Sequence, residues 1–279
     1  MTAPDRTTTT QHPFDLTGKV AVVPGGTGVL GVQLAEGLAR AGARVAVLGR
    51  RRDAGEERAA SIRAAGGEAM ALSADVLDDA ALRAARDELL GAWGQVDILV
   101  NAAGGNVGRA RTDGVPPFAM PMDAFDEVVK LNLHGTVAPS LVFGEAMARA
   151  GRGSIVNISS MAAMQAISGV LGYSVAKAAI DNFTKWLAVD LARQCGAGLR
   201  VNAIAPGFFL AHQNRGVLVD DEGNYTARAR TIVGRTPMGR FGDPQELIGA
   251  VVFFCSDAAS FVTGTVLPVD GGFSAFSGV

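Results

Sequence analysis

The chain has 279 residues, 48% of them hydrophobic and 19% charged, with a formal net charge of −2 and a pI of about 5.9. That length suits one α/β domain with a large buried core, and the balance excludes the basic footprint of a nucleic-acid binder. No apolar run reaches the roughly 18 residues that a membrane span needs. The two cysteines, Cys195 and Cys255, lack metal-ligand spacing and fit a cytoplasmic, reducing environment, so no metal is expected.

In chain order, the threonine-rich stretch Thr2 to Pro13 has no apolar signal core. It reads as a loose tail, residues 1–14, ahead of a single domain at 15–279. Lys19–Val23 is a short apolar run that ends in Pro24 and a glycine turn, followed by helical spacing over Val32–Arg40. Further strands are expected at Arg44–Leu48, Ala69–Leu72, Ile98–Val100, Ser154–Ile158, Leu199–Ile204 and Val266–Val269. Further helices are expected at Ala54–Ala65, Asp78–Ala92, Ala124–Ala148, Tyr173–Arg193 and Pro244–Cys255. Strands alternating with helices predict a doubly wound parallel sheet covered on both faces. The least regular stretches are Gly104–Pro121 and Gly207–Pro237; loops of that length are often binding loops, and about 207–237 is read as a lid.

The glycine turn runs Gly25-Gly26-Thr27-Gly28-Val29-Leu30-Gly31, and Gly26, Gly28 and Gly31 satisfy G-x-G-x-x-G. Glycine permits a sharp turn and close approach of a pyrophosphate, while the following helix N-terminus favours negative charge. The alternative is a strand-to-helix turn with no ligand. A carboxylate closing the second strand would bind ribose hydroxyls and favour NAD. Here Gly49 is followed by Arg50-Arg51-Arg52. A guanidinium suits a 2′-phosphate, so NADP(H) is favoured over NAD(H), with Arg50 the best candidate; the alternative is an ordinary basic run opening a helix. Asp75 and Val76 follow the third strand, where they would meet an adenine ring, or Asp75 would cap a helix. Asn101, Ala102, Ala103 and Gly104 follow the fourth strand, where small residues leave room for a cofactor.

Tyr173 and Lys177 are four apart, hence on one helix face, and Tyr173 is thirteen residues after Ser160. An ammonium there is expected to lower the phenol pKa, and a serine hydroxyl to orient a substrate oxygen. The set reads as an acid/base site for an alcohol or carbonyl, with a dinucleotide taking the hydride. Strand alternation turns Ser159 away from Ser160, so one of the two faces the substrate, and the spacing to Tyr173 favours Ser160. Asn132 is a poor helix former inside a predicted helix.

In order, the glycine turn, Asp75, Asn101-Ala-Ala-Gly104, Asn132, Ser160, Tyr173, Lys177 and Pro206-Gly207 resemble the short-chain dehydrogenase/reductase family from about Leu16 onward. The resemblance implies a single-domain Rossmann fold with a seven-stranded sheet and a nicotinamide cofactor. It also implies a homo-oligomer, tetramer or dimer, with faces built from the helices Ala124–Ala148 and Tyr173–Arg193. By the same resemblance Tyr173 is the acid/base and Ser160 holds the substrate oxygen. Lys177 bonds the nicotinamide ribose, Asn132 holds a water that links Lys177 to solvent, and Pro206, Gly207 and Phe208 contact the cofactor. Gly28-Val-Leu-Gly31, Ala103-Gly-Gly-Asn106, Pro206-Gly-Phe-Phe-Leu210, Gln213-Asn214-Arg215, Thr236–Phe241 and the ending Val269–Val279 look like the D-mannonate (fructuronate) oxidoreductase-like branch. Pro24 departs from the family's threonine, which braces the turn against the loop at Asn101. Val107, Gly108 and Ala162 depart from the branch near the expected substrate pocket.

For a uronate carboxylate the candidate cations are Arg109, Arg111 and Arg215, with Asn106, Gln165, His212 and Asn214 as hydroxyl partners; Arg215 and Asn106 are preferred. His134 is read as structural, and the cysteines as inert thiols. The apolar ending Gly271–Val279 packs on a neighbouring subunit or on its own domain. The leading reading is an NAD(P)-dependent oxidoreductase of a sugar acid such as D-mannonate/D-fructuronate. Alternatives are a reductase of another carbonyl (keto-acyl, cyclic ketone or polyol) and a non-catalytic dinucleotide sensor or scaffold.

Overall fold

Five strands of this chain are almost wholly buried and mostly apolar, as a sheet covered on both faces requires. The computed structural model describes residues 12–114, 116–210 and 215–278. The strands are β1 (Val20–Pro24), β2 (Arg44–Gly49), β3 (Ala69–Ser73), β4 (Ile98–Asn101), β5 (Gly153–Ile158), β6 (Leu199–Pro206) and β7 (Val266–Val269). They form one parallel sheet in the order β3-β2-β1-β4-β5-β6-β7. The order reverses between β1 and β4, which opens a crevice at the strands' carboxyl ends, where such sheets hold ligands.

Helices α1 (Val29–Arg40), α2 (Arg52–Ala64) and α9 (Ile248–Cys255) pack on one face, around Leu34, Leu38, Val45, Val47 and Phe254. Helices α3 (Asp79–Trp93), α5 (Gly135–Ala150) and α6 (Leu171–Cys195) pack on the other, around Leu82, Leu89, Phe143, Met147 and Leu187. Of the expected tail, residues 1–11 lie outside the described residues, as do His212, Gln213 and Asn214. Pro13 and Phe14 are not loose: Pro13 O accepts from Ala258 N at 3.1 Å, and the Phe14 ring lies 6.2 Å from that of Phe253.

Three expectations need correction. The helix expected over Ala124–Ala148 is interrupted: α4 (Met122–Val129) passes through a π turn at Lys130–His134 before α5. The helix expected at Pro244–Cys255 opens as a 3-10 turn, Pro244–Leu247, with a capping box between Asp243 and Glu246. The stretch at 207–237 holds the short helix α7 (Arg215–Leu218) and α8 (Ala227–Arg235). The latter is capped by Thr226 and buries only Ala229 and Ile232, too narrow a stripe to stand out by periodicity. The C-terminal segment packs on its own domain. Phe273 meets Phe208 edge to face at 5.4 Å, and Gln165 donates to Ser274 O at 3.1 Å.

Candidate active site

The glycine turn is held by backbone geometry. Gly25 has φ +77°, a region open to glycine, and a Cβ there would fall 2.5 Å from Ala103 N. A Cβ on Gly31 would fall 2.1 Å from Gly25 O, so the first turn of α1 sits directly on the loop. Thr27 lies over Gly49, with its Oγ1 3.1 Å from where a Cβ would stand. Pro24 supplies no hydroxyl, yet its carbonyl accepts from Ala102 N at 3.0 Å. The brace to the loop after β4 therefore runs through the backbone.

Helix α1 begins at Val29 with Gly28 as N-cap, without a side-chain cap and without an acidic residue in its first turn. Its first N–H groups and the positive end of its dipole are free to meet an anion. These features fit the pyrophosphate of a dinucleotide. Arg50 is exposed just beyond β2. Arg52, by contrast, is spent on Glu88 at 2.8 Å. Asp75 is not the cap of α3. Its Oδ1 accepts from Leu77 N at 3.0 Å, and Asp78 caps the helix through Ala81 N. Val76 is buried in the sheet's second core.

Ile158, Ser159, Ser160, Tyr173, Pro206, Gly207, Phe208, Phe209, Val29 and Leu30 line one cavity of about 230 Å³. The ends of β5 and β6 and the starts of α1 and α6 thus meet there. Ser160 Oγ accepts from Ala162 N at 3.1 Å. Ser159 also borders the cavity, but its Oγ donates to Asp181 on α6. Lys177 is 3% exposed. Its Nζ donates to Ile158 O at 2.7 Å and stands 5.4 Å from the centre of the Tyr173 ring.

The expected depression of Tyr173 by Lys177 is absent. Burial pushes the Tyr173 phenol above its ordinary value, and only the hydrogen bond with Ser160 opposes this. Burial also pulls Lys177 from 10.5 to about 8, against the field of Asp181. The ammonium lies beside the ring and is engaged by a carbonyl, while desolvation acts on both groups.

Asn132 sits in the π turn and is fully buried. Its Nδ2 donates to Val128 O at 2.9 Å, one turn back, and to Gly105 O at 2.7 Å. Its Oδ1 accepts from Gly105 N at 3.0 Å. The wider turn rotates Asn132 inward, a frequent use of π insertions. A Cβ on Gly104 would stand 2.7 Å from Asn132 Oδ1 and 3.5 Å from Lys177 Nζ. The Asn101–Gly104 loop, Asn132 and Lys177 are therefore one packed unit.

The substrate candidates are less concentrated. Asn106 is exposed and accepts from its neighbour Val107 N. Arg215 is exposed at the start of α7. Neither lines the cavity. Arg109 is committed to Asp123 at 2.9 Å and Glu127 at 3.5 Å, Arg111 to Asp113 at 2.7 Å, and Gln165 to the C-terminal segment. His134 is exposed. Cys255 is buried and its thiol pushed up to about 12.

Sequence reasoning missed the pins beneath the site. Asn101 Nδ2 donates to Ser140 Oγ at 2.8 Å and to Asn157 Oδ1 at 2.9 Å, and Asn157 Nδ2 donates to Thr184 Oγ1 at 2.9 Å. A polar Asn157 directly after the apolar pair Ile155-Val156 of a buried strand was the available signal.

Residues 28–274 match the profile of a family described as enoyl-(acyl carrier protein) reductase, of the short-chain alcohol dehydrogenase type. An uncharacterized oxidoreductase, UxuB, of Bacillus subtilis is 45% identical over 275 residues, covering 95% of this chain and 98% of that protein. A crystal structure from Haemophilus influenzae, provisionally named a D-mannonate oxidoreductase and holding NAD, is 41% identical. It has a TM-score of 0.89 and covers 95% of this chain and 98% of that one. A gluconate 5-dehydrogenase of Burkholderia cenocepacia, in complex with NADP and tartrate, is 35% identical with a TM-score of 0.85. There, 95% and 98% of the two chains are covered.

Proposed function

The chain belongs to the short-chain dehydrogenase/reductase family, and on that premise we propose that this NAD(P)-dependent oxidoreductase interconverts a sugar acid and its keto form. D-mannonate and D-fructuronate are the leading pair. The observation that carries the reading is the convergence of Ser160 and Tyr173 on one cavity, with Lys177 behind them, at the uncapped start of α1. The names of the Haemophilus and Burkholderia relatives support a sugar acid over other alcohols.

A bound nicotinamide dinucleotide would supply or accept the hydride at the substrate's carbonyl carbon. Gly25–Gly31 and the first N–H groups of α1 would hold its pyrophosphate, and Asp75, Val76 and Asn101–Gly104 its adenosine side. Pro206–Phe208 would hold its nicotinamide end. Arg50 favours NADP, as an exposed guanidinium where a ribose-binding carboxylate would otherwise stand. Ser160 holds the substrate oxygen through a hydroxyl already oriented by Ala162 N. Tyr173 gives its proton to the developing alkoxide in reduction and takes the alcohol proton in oxidation. Lys177 would hold the ribose of a bound dinucleotide, and Asn132 fixes the loop at Gly105 while its remaining Oδ1 lone pair holds a water. The segment at 207–237 acts as a lid, bringing Arg215 toward the substrate carboxylate with Asn106 on the opposite loop. The enzyme works as a homo-oligomer.

A second reading, a reductase of a neutral carbonyl, is favoured by Phe208 and Phe209 in the cavity wall. Initial rates with D-fructuronate and NADPH or NADH, beside a panel of neutral ketones, decide between them. Fast turnover of fructuronate is expected; activity confined to neutral ketones overturns the sugar-acid assignment. Tyr173→Phe is expected to lose nearly all turnover while keeping cofactor affinity, and retained turnover removes Tyr173 from its role.

A further inference from the structure

We propose that Asp181, held in place by Ser159, is a positioning residue that keeps Lys177 charged and so sets the pH range over which that ammonium can serve the proposed site. The inference rests on the roles given to Tyr173 and Lys177 above.

Two side chains one turn apart on α6 reach adjacent residues at the end of β5. Lys177 Nζ donates to Ile158 O at 2.7 Å, and Asp181 accepts from Ser159 Oγ. The neighbouring serines divide the work: both border the cavity, but the Ser159 hydroxyl is committed to the Asp181 carboxylate, while the Ser160 hydroxyl stands with Tyr173. Asp181 is thereby oriented on the same helix face as Lys177.

Lys177 needs such a neighbour. Among the described residues it is the one buried cation, and no carboxylate lies within ion-pair distance of it. A carbonyl satisfies one of its three hydrogens without offsetting its charge. The anionic group whose field reaches it is Asp181. The other groups facing the pair are few. Tyr173 lies beside Lys177 on α6, and Lys185, further along α6, acts on Asp181. Ser159 and Ser160 directly follow β5. Asn132, from the π turn, is near through Gly104 and does not titrate.

The directions agree with this assignment. Burial pulls Lys177 down to about 8, and Asp181 works against that pull. Burial also pushes the Asp181 carboxyl up, while the Ser159 hydrogen bond, Lys185 and Lys177 draw it down. Ser159 therefore helps to keep Asp181 ionised, and Asp181 helps to keep Lys177 protonated. Removing Asp181 leaves desolvation unopposed at Lys177, and removing Ser159 weakens the opposition, so in both cases the proton is lost at lower pH.

The test uses the whole protein with its lysines labelled with ¹³C at Cε. The four lysines are Lys19, Lys130, Lys177 and Lys185, and Lys177→Met assigns the signal of interest. The Lys177 midpoint is expected near 8. Asp181→Asn is expected to lower it by about one pH unit, Ser159→Ala to lower it by less, and Asp181→Glu to restore it. The alkaline limb of carbonyl reduction is expected to move with the midpoint. A folded Asp181→Asn protein with an unchanged Lys177 midpoint and only a lower Tm overturns the inference. If that variant does not fold, Ser159→Ala carries the same decision. The titration needs no substrate, so it stands apart from the fate of the catalytic reading, which Tyr173→Phe turnover decides separately.

Discussion

Burying an ammonium against a single carbonyl is unfavourable, and Lys177 is held that way at 3% exposure. Its fall from 10.5 to about 8 corresponds to about 3 kcal/mol between its two protonation states. The sign follows from linkage. Below pH 8 both folded and unfolded chains carry the proton, and the folded state bears the full cost. Between about 8 and 10.5 the folded state sheds the proton first, so stability rises with pH in that window. Lys177→Met removes the titration. The stability of the wild type relative to this variant is therefore expected to increase by about 2–3 kcal/mol between pH 7 and pH 10. Urea melts of both proteins at the two pH values measure it. A constant difference would mean that the ammonium is better solvated than its surroundings indicate. The wild-type lysine is retained against this cost because, in the proposed mechanism, it would hold the cofactor's ribose; stability at neutral pH is given up for chemistry.

The end of β1 presents a different trade. With Val22 opposite Leu99, the register brings Pro24 level with Asn101. Asn101 sends its Nδ2 to Ser140 and Asn157, but its buried Oδ1 has no partner. A proline beside it offers neither hydroxyl nor N–H. Pro24→Thr is expected to supply a donor there and to raise stability by about 1 kcal/mol, read as a higher Tm with unchanged cooperativity. A lower Tm would show that the proline ring, packed in the strand end, is worth more than the hydrogen bond. Position 24 was legible in the sequence as a departure from the family pattern, but its consequence was not, because the orphaned Asn101 oxygen depends on register. The same division holds elsewhere. β1 to β6 were legible because burial on both faces writes them as apolar runs, and Tyr173 and Lys177 because four residues make one helical turn. The π turn at Lys130–His134 was not legible: one extra residue per turn leaves no compositional mark, yet it turns Asn132 onto Gly105. Arg109 and Arg111 looked available in sequence, since their partners Asp123, Glu127 and Asp113 are identified only by the folded loop.

Helix α6 has two faces with different work. Its inner face buries Ala176, Lys177, Ile180, Thr184, Leu187 and Ala188 and so fixes the proposed catalytic lysine. Its outer face carries Val175, Ala179, Asn182, Trp186 and Val189, alternating steps of four and three, the spacing of a seam that meets another helix. Trp186 is 60% exposed and Val189 52%, and Leu141 on α5 is 55% exposed beside them. Trp186 and Leu141, with Leu133, Val137, Ala138, Ala179 and Phe183, border a largely apolar surface groove of about 530 Å³, edged by Asp79, Arg83, His134 and Asn182. A contiguous apolar face of this kind on one chain calls for a cover, and the same face of a second copy, related by a two-fold axis, is self-complementary in spacing. Trp186→Glu is expected to shift the protein to a smaller species in sedimentation velocity at micromolar concentration. Tm should then lose its dependence on protein concentration. An unchanged sedimentation coefficient in a folded Trp186→Glu protein would exclude this face as the subunit contact. If the contact forms, each copy steadies the other's α6 from outside, and the position of Lys177 and Tyr173 becomes a property of the assembly as well as of the chain.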